Sequence, residues 1–288
     1  SKLVFSKIDI VHIHSASRGS FIRKSYLVVL AKLFRKKVIL HIHGAEFEKF
    51  YRNECGKFKQ SYIKKILSVT DKIIVLGEEW KQKIGEYCSS EIIVLNNAIK
   101  IPTENLYNNN SNCITVLGRL GTRKGTFDII EATKKLVEKH PNIIVNLAGD
   151  GEIDKVNLEI KKYGLEKNIN VLGWIDENKR AQLLKETGIY ILPSYNEGMP
   201  MSILEAMSYG IPVISTDVGS IPTVIKNDEN GYIIKPGDIE KLYTLIDKLI
   251  QSSEIRLEMS SNNYNKVNKK FSIDANIEQL LQIYRNTL

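Results

Sequence analysis

Cysteine is scarce in this sequence, and its three cysteines lie far apart, at Cys55, Cys88 and Cys113. Zinc sites and small disulfide-stabilised domains need closely spaced or paired cysteines. The sequence is therefore not that of a disulfide scaffold or a cysteine-rich metal domain. Isolated cysteines are typical of proteins in a reducing compartment, so we expect a cytoplasmic location.

Long hydrophobic runs are also missing, because no apolar run approaches the roughly 20 residues that a transmembrane helix needs. The hydrophobic content is nevertheless 43%, which is ordinary for a globular protein. A chain of 288 residues is long enough for two domains of ordinary size. The composition therefore predicts two globular domains.

Acidic residues are few in the first third of the chain. Residues 1–100 contain 19 Lys and Arg against 9 Asp and Glu, whereas residues 101–288 contain 22 and 24. A local excess of positive charge is typical of a surface that contacts a polyanion. We expect no nucleic-acid binding, because neither a recognition fold nor an aromatic-rich basic strand accompanies the charge.

An anionic membrane fits this basic region better than a nucleic acid does. The segment 18–37 could rest on the inner face of a membrane together with a second group of basic residues, Lys57, Lys59, Lys64 and Lys65. A peripheral protein of this kind would bring its active site to a lipid-linked substrate. On charge alone, a solvated basic face is an equally good interpretation.

Short hydrophobic strands alternate with helical patterns along the chain, which is typical of parallel sheets in α/β proteins. The predicted strands lie at 8–14, 38–43, 72–76, 92–95, 113–117, 143–147, 169–172, 189–192, 213–216 and 232–234. The polar segment 96–112 interrupts the alternation and is the predicted linker. We therefore expect two Rossmann-like doubly wound domains, residues 1–101 and 102–270, and a final helix at 271–288 that packs back on the first domain.

The segment 193–219 has the pattern of a strand end, a loop and a short helix. A buried strand ends at Pro193, Pro200 suits the first helical turn, and Gly210 suits a left-handed C-cap. The helix would begin at the carboxyl edge of the sheet, where N–H groups around Gly198 and Met199 can hold a phosphate. The segment therefore predicts an anion site.

Two carboxylates flank this anion site, Glu197 in the loop and Glu205 inside the helix. A carboxylate repels a phosphate but accepts hydrogen bonds from hydroxyl groups. The pattern therefore suits a ligand with a central phosphate and hydroxyls on both sides, which describes a nucleotide sugar. On the spacing alone, two solvated glutamates remain an alternative.

The two glutamates are separated by seven residues, within Asn-Glu-Gly-Met-Pro and Leu-Glu-Ala-Met-Ser-Tyr-Gly-Ile-Pro-Val-Ile-Ser-Thr. This combination resembles the signature of the retaining glycosyltransferases of the GT-B fold in family 4, the glycosyl transferases group 1. The resemblance implies two Rossmann-like domains that face each other across a cleft. It also implies hexosyl transfer, with retention of configuration, from a nucleotide-diphosphate sugar to a glycan or lipid-linked acceptor in bacterial surface polysaccharide synthesis.

In that family the first domain usually opens with a strand and a glycine-rich loop. Here the first predicted strand leads directly into a basic helix, and the chain starts with Ser1 rather than Met. We therefore expect the first domain to be incomplete at its N-terminus. No cofactor is expected, because the nucleotide sugar is itself the substrate.

The resemblance also implies roles for particular residues. Arg119 and Lys124 would hold the diphosphate, Glu197 the sugar hydroxyls and Glu205 the ribose hydroxyls. The expected catalytic residues are His43, Arg119, Lys124 and Glu197. The expected donor-binding residues are Gly118, Gly149, Trp174, Ile175, Gly198, Met199, Pro200 and Glu205.

Four of the five histidines are His12, His14, His41 and His43. Strand alternation puts each pair on one face of its strand. A metal site is conceivable there, but we expect none, because no carboxylate accompanies the histidines and the transferases that this sequence resembles need no bound metal. The resemblance implies instead that His43, which precedes a glycine, contacts the donor sugar or the acceptor.

The loop 217–222 departs from the family pattern, since Ser220 and Thr223 stand where a glycine and a glutamate are common. Two other functions remain open beside glycosyl transfer. One is a nucleotide-sugar epimerase of the same fold. The other is a non-catalytic, nucleotide-binding subunit that needs a partner chain.

Overall fold

The computed structural model describes residues 8–43 and 46–288, and its internal contacts divide the chain into two compact units. The first unit comprises the described residues up to Asn97 together with Asp274–Leu288, and the second unit is Ala98–Ile273. Each unit contains a parallel sheet with helices around it, which confirms the expected α/β fold with two Rossmann-like domains. Among the described residues, no helix has the length and hydropathy to cross a membrane.

The sheet of the first unit has the strand order β1-β2-β3-β4, with all described pairs parallel. Its strands are β1 Ile10–Ser15, β2 Lys37–Ile42, β3 Lys72–Val75 and β4 Glu91–Val94. Its helices are α1 Gly19–Leu33, α2 Phe47–Asn53, α3 Lys57–Val69 and α4 Glu78–Gly85, and the last helix of the chain, α12 Ile273–Arg285, joins them from Asp274 onward. Alternation along β2 buries Leu40 in the larger core, while Ile39 packs with Ile283 of α12 on the opposite face.

The sheet of the second unit has the order β10-β9-β8-β5-β6-β7, again parallel throughout. Its strands are β5 Ile114–Leu117, β6 Val145–Ala148, β7 Ile169–Gly173, β8 Ile189–Leu192, β9 Val213–Thr216 and β10 Gly231–Ile234. Its helices are α5 Thr126–Lys139, α6 Ile153–Lys162, α7 Glu177–Lys185, α8 Met201–Ser208, α9 Ile221–Val224, α10 Ile239–Gln251 and α11 Ser253–Phe271, and a 3-10 turn spans Thr122–Lys124.

Central strands of this sheet are buried on both faces, which explains why they read as continuous apolar runs. In β8, Ile189 and Ile191 belong to one apolar cluster, whereas Tyr190 and Leu192 belong to the cluster on the other face. Two layers of helices therefore cover the sheet. The ends of its strands, rather than its faces, are left for polar groups.

Several predicted boundaries differ from the structure by one or two residues. The strand expected at 143–147 begins at Val145, because the Ile143 N–H donates to the His140 carbonyl in the turn after α5. The final helix, expected at 271–288, begins at Ile273, because extended backbone at Ser272 separates it from α11. Extended backbone at Ser252 likewise separates α11 from α10. The Ser252 side chain accepts a hydrogen bond from the Ile255 N–H and so begins α11 as its N-cap.

The strand order contains a topological switch point between β5 and β8. The chain leaves β5 toward β6 on one side and leaves β8 toward β9 on the other. Loops after two such strands diverge and leave a crevice at their carboxyl ends, which is where ligands bind in open α/β sheets. The loops 118–125 and 193–200, which contain the expected site residues Lys124 and Glu197, follow these two strands.

Candidate functional site

The two loops at the switch point are bonded to each other. The Tyr195 N–H donates to the Arg123 carbonyl at 2.9 Å, and Arg123 Nη1 donates to the Asn196 carbonyl at 3.0 Å. Arg123, for which the sequence predicted no role, therefore holds the loops together. These bonds fix the crevice edges relative to each other.

Lys124 and Glu197 form an ion pair across this crevice. Lys124 Nζ lies 2.5 Å from Glu197 Oε1, and only 12% and 9% of their side chains are exposed. Ser194 Oγ donates to the same carboxylate oxygen at 2.8 Å. The sequence assigned these two residues to different parts of a ligand, and the structure places them in direct contact.

Gly118 and Gly149 bring the backbones of neighbouring strand ends together. Gly149 has φ +153°, and a Cβ there would lie 1.9 Å from the Gly118 carbonyl oxygen. The Gly118 N–H donates to the Ala148 carbonyl, and the Gly149 N–H donates to the Gly173 carbonyl. The side chain of Lys124 lies over Gly118, since a Cβ there would be 3.4 Å from Lys124 Cε. The two glycines therefore form the floor beneath the lysine.

The three other residues of this edge differ in exposure. Arg119 is exposed, and its stem packs near Gly151. Trp174 follows β7 and is 78% exposed, whereas Ile175 packs against an apolar cluster of the second unit. An exposed tryptophan at a strand end is available to stack on a ligand, while the contacts of Ile175 are those of a core residue.

The loop before α8 contacts the next strand connection. The helix begins at Met201, so Pro200 is its N-cap. The sequence predicted Pro200 within the first helical turn, one position farther into the helix. Met199 is buried among apolar side chains. The Gly198 carbonyl accepts a hydrogen bond from the Ser220 N–H at 2.8 Å. The loop 217–222 therefore packs on the loop before α8, although its sequence departs from the family pattern.

Glu205 lies farther along α8, in a pocket of about 500 Å³ that Arg180, Met201 and Tyr209 also line. Arg180 Nε lies 3.4 Å from Glu205 Oε2. Burial raises the pKa of the Glu205 carboxyl, and the charge of Arg180 offsets only part of this shift. The sequence did not predict the contact of Arg180 with Glu205, because the two residues lie on different helices and no local pattern connects them.

His43 belongs to the first unit, just beyond β2, and Gly44 after it lies outside the described residues. His43 Nε2 lies 2.7 Å from His14 Nδ1, and its ring stacks on His41 with a centroid distance of 4.0 Å. Burial, followed by the neighbouring His43, lowers the pKa of His41 to about 2. The predicted catalytic residue is thus one member of a histidine cluster.

Seven of the twelve expected site residues form three separate groups. One group lies at the switch point and contains Gly118, Lys124, Gly149, Glu197 and Gly198. Glu205 forms a second group with Arg180, and His43 lies in the other unit. The first group has a cation, a carboxylate and closely packed backbone, which can bind an anion and a hydroxyl group side by side.

The chain is similar to known proteins in sequence and in fold. The family model described as "Glycosyl transferases group 1" matches residues 97–266. The chain is 28% identical to the Escherichia coli UDP-Gal:alpha-D-GlcNAc-diphosphoundecaprenol alpha-1,3-galactosyltransferase, over 96% of this chain and 75% of that protein. It is 29% identical to the capsular polysaccharide biosynthesis glycosyltransferase CapM of Staphylococcus aureus, over 67% of this chain and 50% of that protein.

Among solved structures, the Anabaena protein Alr3699/HepE in complex with UDP has a TM-score of 0.80 to this chain at 16% identity, covering 96% of this chain and 79% of that one. At this identity the likeness is one of fold. The chain spans between half and three quarters of the length of the two curated relatives.

Replacing Gly149 by alanine should disrupt the floor of the site. The new Cβ would collide with the Gly118 carbonyl, so we expect the free energy of unfolding to fall by about 2–4 kcal/mol in urea denaturation. Gly164→Ala is the matched control, because Gly164 also has a positive φ but no described atom within 4 Å of its Cβ position. That variant should lose only about 1–2 kcal/mol. Equal losses in the two variants would contradict the close packing of Gly149 on Gly118.

Proposed function

This chain belongs to the glycosyl transferases group 1 family, and from that premise we propose that it transfers a hexosyl group from a nucleotide-diphosphate sugar, with retention of configuration. The acceptor is a glycan or a lipid-linked sugar of bacterial surface polysaccharide synthesis. The names of the two relatives support this choice, since one acts on a diphosphoundecaprenol-linked sugar and the other in capsular polysaccharide biosynthesis. Both are transferases, which favours transfer over epimerisation.

The observation that carries the proposal is the Lys124–Glu197 pair at the switch point. A diphosphate is a stronger anionic partner for a lysine than a single carboxylate is. An incoming donor would therefore draw Lys124 toward its phosphates, with Arg119 as a second, exposed cation. Glu197 would then be left to accept hydrogen bonds from the sugar hydroxyls, which places phosphate and sugar in adjacent positions.

These residues also determine the proposed chemistry. Departure of the nucleoside diphosphate leaves negative charge on its terminal phosphate, which the largely buried Lys124 and the exposed Arg119 would neutralise without the need for a bound metal. Glu197 is held by Lys124 and Ser194 and acts as a hydrogen-bond acceptor rather than as the nucleophile of a double displacement. The acceptor would attack the face from which the diphosphate departs, and the diphosphate would help to take its proton.

His43 and Glu205 have supporting roles in this proposal. His43 would contact the donor sugar or the acceptor, as the family resemblance implies. Glu205 would accept hydrogen bonds from the ribose hydroxyls, and Trp174, with 78% of its surface exposed, would stack on the base.

Transfer is tested by incubating the chain with UDP-, GDP- and ADP-hexoses and with lipid-diphosphate-linked or free glycan acceptors. Proton NMR should show a product only when an acceptor is present, with the same anomeric configuration as the donor sugar. Lys124→Ala should reduce the rate by about 10²–10³-fold, because one charged group that stabilises the leaving diphosphate is lost. An inverted product would refute retention, and an epimerised donor without acceptor would refute transfer.

Glu205→Ala should weaken the binding of the preferred nucleoside diphosphate by about 1–3 kcal/mol, the value of hydrogen bonds to a charged group. Calorimetric titration measures this loss. Glu177→Ala is the control, because Glu177 lines the same pocket but is exposed. The control should change the affinity by less than about 0.5 kcal/mol. Unchanged affinity in Glu205→Ala would refute the ribose assignment.

We also propose that the first unit docks on an anionic membrane through its helices α1 and α3. Apolar side chains are exposed on both helices. On α1 the exposed fraction is 66% for Tyr26, 50% for Val29 and 73% for Leu33, and on α3 it is 96% for Phe58. The Ser25 hydroxyl of α1 and the Tyr62 hydroxyl of α3 lie 2.7 Å apart, so the helices are neighbours. Exposed basic residues on the two helices include Arg23, Lys57, Lys59, Lys64 and Lys65.

Exposed aromatic and aliphatic side chains among basic ones are typical of interfacial helices. Replacing Arg23, Lys57 and Lys64 together by glutamate should therefore reduce binding to vesicles that contain anionic lipid by at least about tenfold, since each such charge contributes about 1 kcal/mol. The control reverses three exposed lysines of the second unit, Lys161, Lys167 and Lys185, and should bind as the parent does. Equal binding to neutral and anionic vesicles would mean that the basic face is only solvated.

A further inference from the structure

The four histidines of the first unit converge on one face of its sheet. His12 and His14 alternate along β1, His41 lies on β2, and His43 follows β2 directly. The parallel register pairs His14 with His41 and His12 with Ile39. Two neighbouring strands therefore bring four imidazoles to the same side of the sheet.

The imidazoles are close enough to share a ligand. One ring nitrogen from each of His12, His14 and His41 lies within 4.8 Å of the other two. A tetrahedral metal with bonds of 2.0–2.1 Å holds its nitrogens about 3.3 Å apart, so small side-chain rotations would complete such a site. His43 stands beside the three, with its Nε2 2.7 Å from His14 Nδ1.

Several of these nitrogens are buried without a hydrogen-bond partner among the residues that the structure describes. They are His12 Nε2 and both ring nitrogens of His41. Buried polar groups are nearly always paired, with a protein group, a water or an ion. One metal ion that accepts a lone pair from each imidazole would satisfy several of these nitrogens at once.

A tyrosine holds one of the rings in a suitable orientation. The Tyr284 hydroxyl, on α12, lies 2.6 Å from His12 Nδ1, which leaves His12 Nε2 as the nitrogen for the cluster. Metal-binding histidines characteristically use their second nitrogen in such a hydrogen bond. Ile283 of the same helix packs with Ile39 beside the cluster, while His14 is exposed and gives access from solvent.

We propose that His12, His14 and His41 bind one divalent transition-metal ion. Neutral imidazoles suit Zn²⁺, Cu²⁺ or Ni²⁺, and a site without carboxylates does not suit Mg²⁺ or Ca²⁺. The absence of a carboxylate, which argued against a metal in the sequence, is no obstacle, because three histidines suffice for zinc in proteins. The site lies in the first unit and does not depend on the proposed transfer reaction.

The full chain, treated with a chelator and then dialysed, should bind zinc chloride in calorimetric titration with one site and a dissociation constant below about 1 μM. Its melting temperature should rise with zinc concentration, because an ion that binds only the folded chain stabilises it. Magnesium chloride should do neither. A parent chain that shows no saturable zinc binding would overturn the proposal.

Variants locate the site. His14→Ala changes an exposed residue and should reduce zinc affinity at least tenfold, and Tyr284→Phe, which removes only a hydroxyl, should reduce it by about 10–100-fold. His140→Ala is the control, because His140 lies in the second unit beside Asp247 and should not affect binding. Circular dichroism confirms folding. Undiminished affinity in both cluster variants, or loss in His140→Ala alone, would refute the assignment.

Discussion

The strands β5 and β8 are parallel neighbours, but the connections that follow them lead to strands on opposite sides of the pair. The candidate site of the second unit depends on this constraint. No connection can cover the edge where the two diverge, so the loops after them keep polar backbone and charged side chains at a crevice. Strands that are buried on both faces hold this edge in place, and Arg123 ties the two loops together. The edge that carries the candidate site is therefore supported by a closely packed core.

Within that crevice, charge is balanced before any ligand arrives. Lys124 and Glu197 are both largely buried, and either would be costly there without the other. The pair therefore stabilises the fold. In the proposed function it would also couple two recognition events, because a phosphate that binds Lys124 would leave the Glu197 carboxylate to accept hydrogen bonds from sugar hydroxyl groups.

The first unit departs from local expectation at two places. Tyr26 and Leu33 are exposed on a helix that could have buried them, and histidines occupy a sheet face where Ile39 and Ile74 would suggest an apolar layer. Proteins depart from local rules mainly where a binding surface requires it. The two departures differ in chemistry. The helix surface combines apolar groups with positive charge, whereas the sheet face combines imidazoles whose buried ring nitrogens include three without a partner in residues 8–43 and 46–288.

Local patterns in the sequence determined the strands, the helices and the loops that carry the site, because hydrophobic periodicity and turn residues act over a few neighbours. They also placed the histidine pairs on one face of each strand. The tertiary structure alone decided the partners: Glu197 meets Lys124, 73 residues away, and Glu205 meets Arg180. These contacts depend on which strands become neighbours and in what register, and that choice is made by packing of the whole sheet.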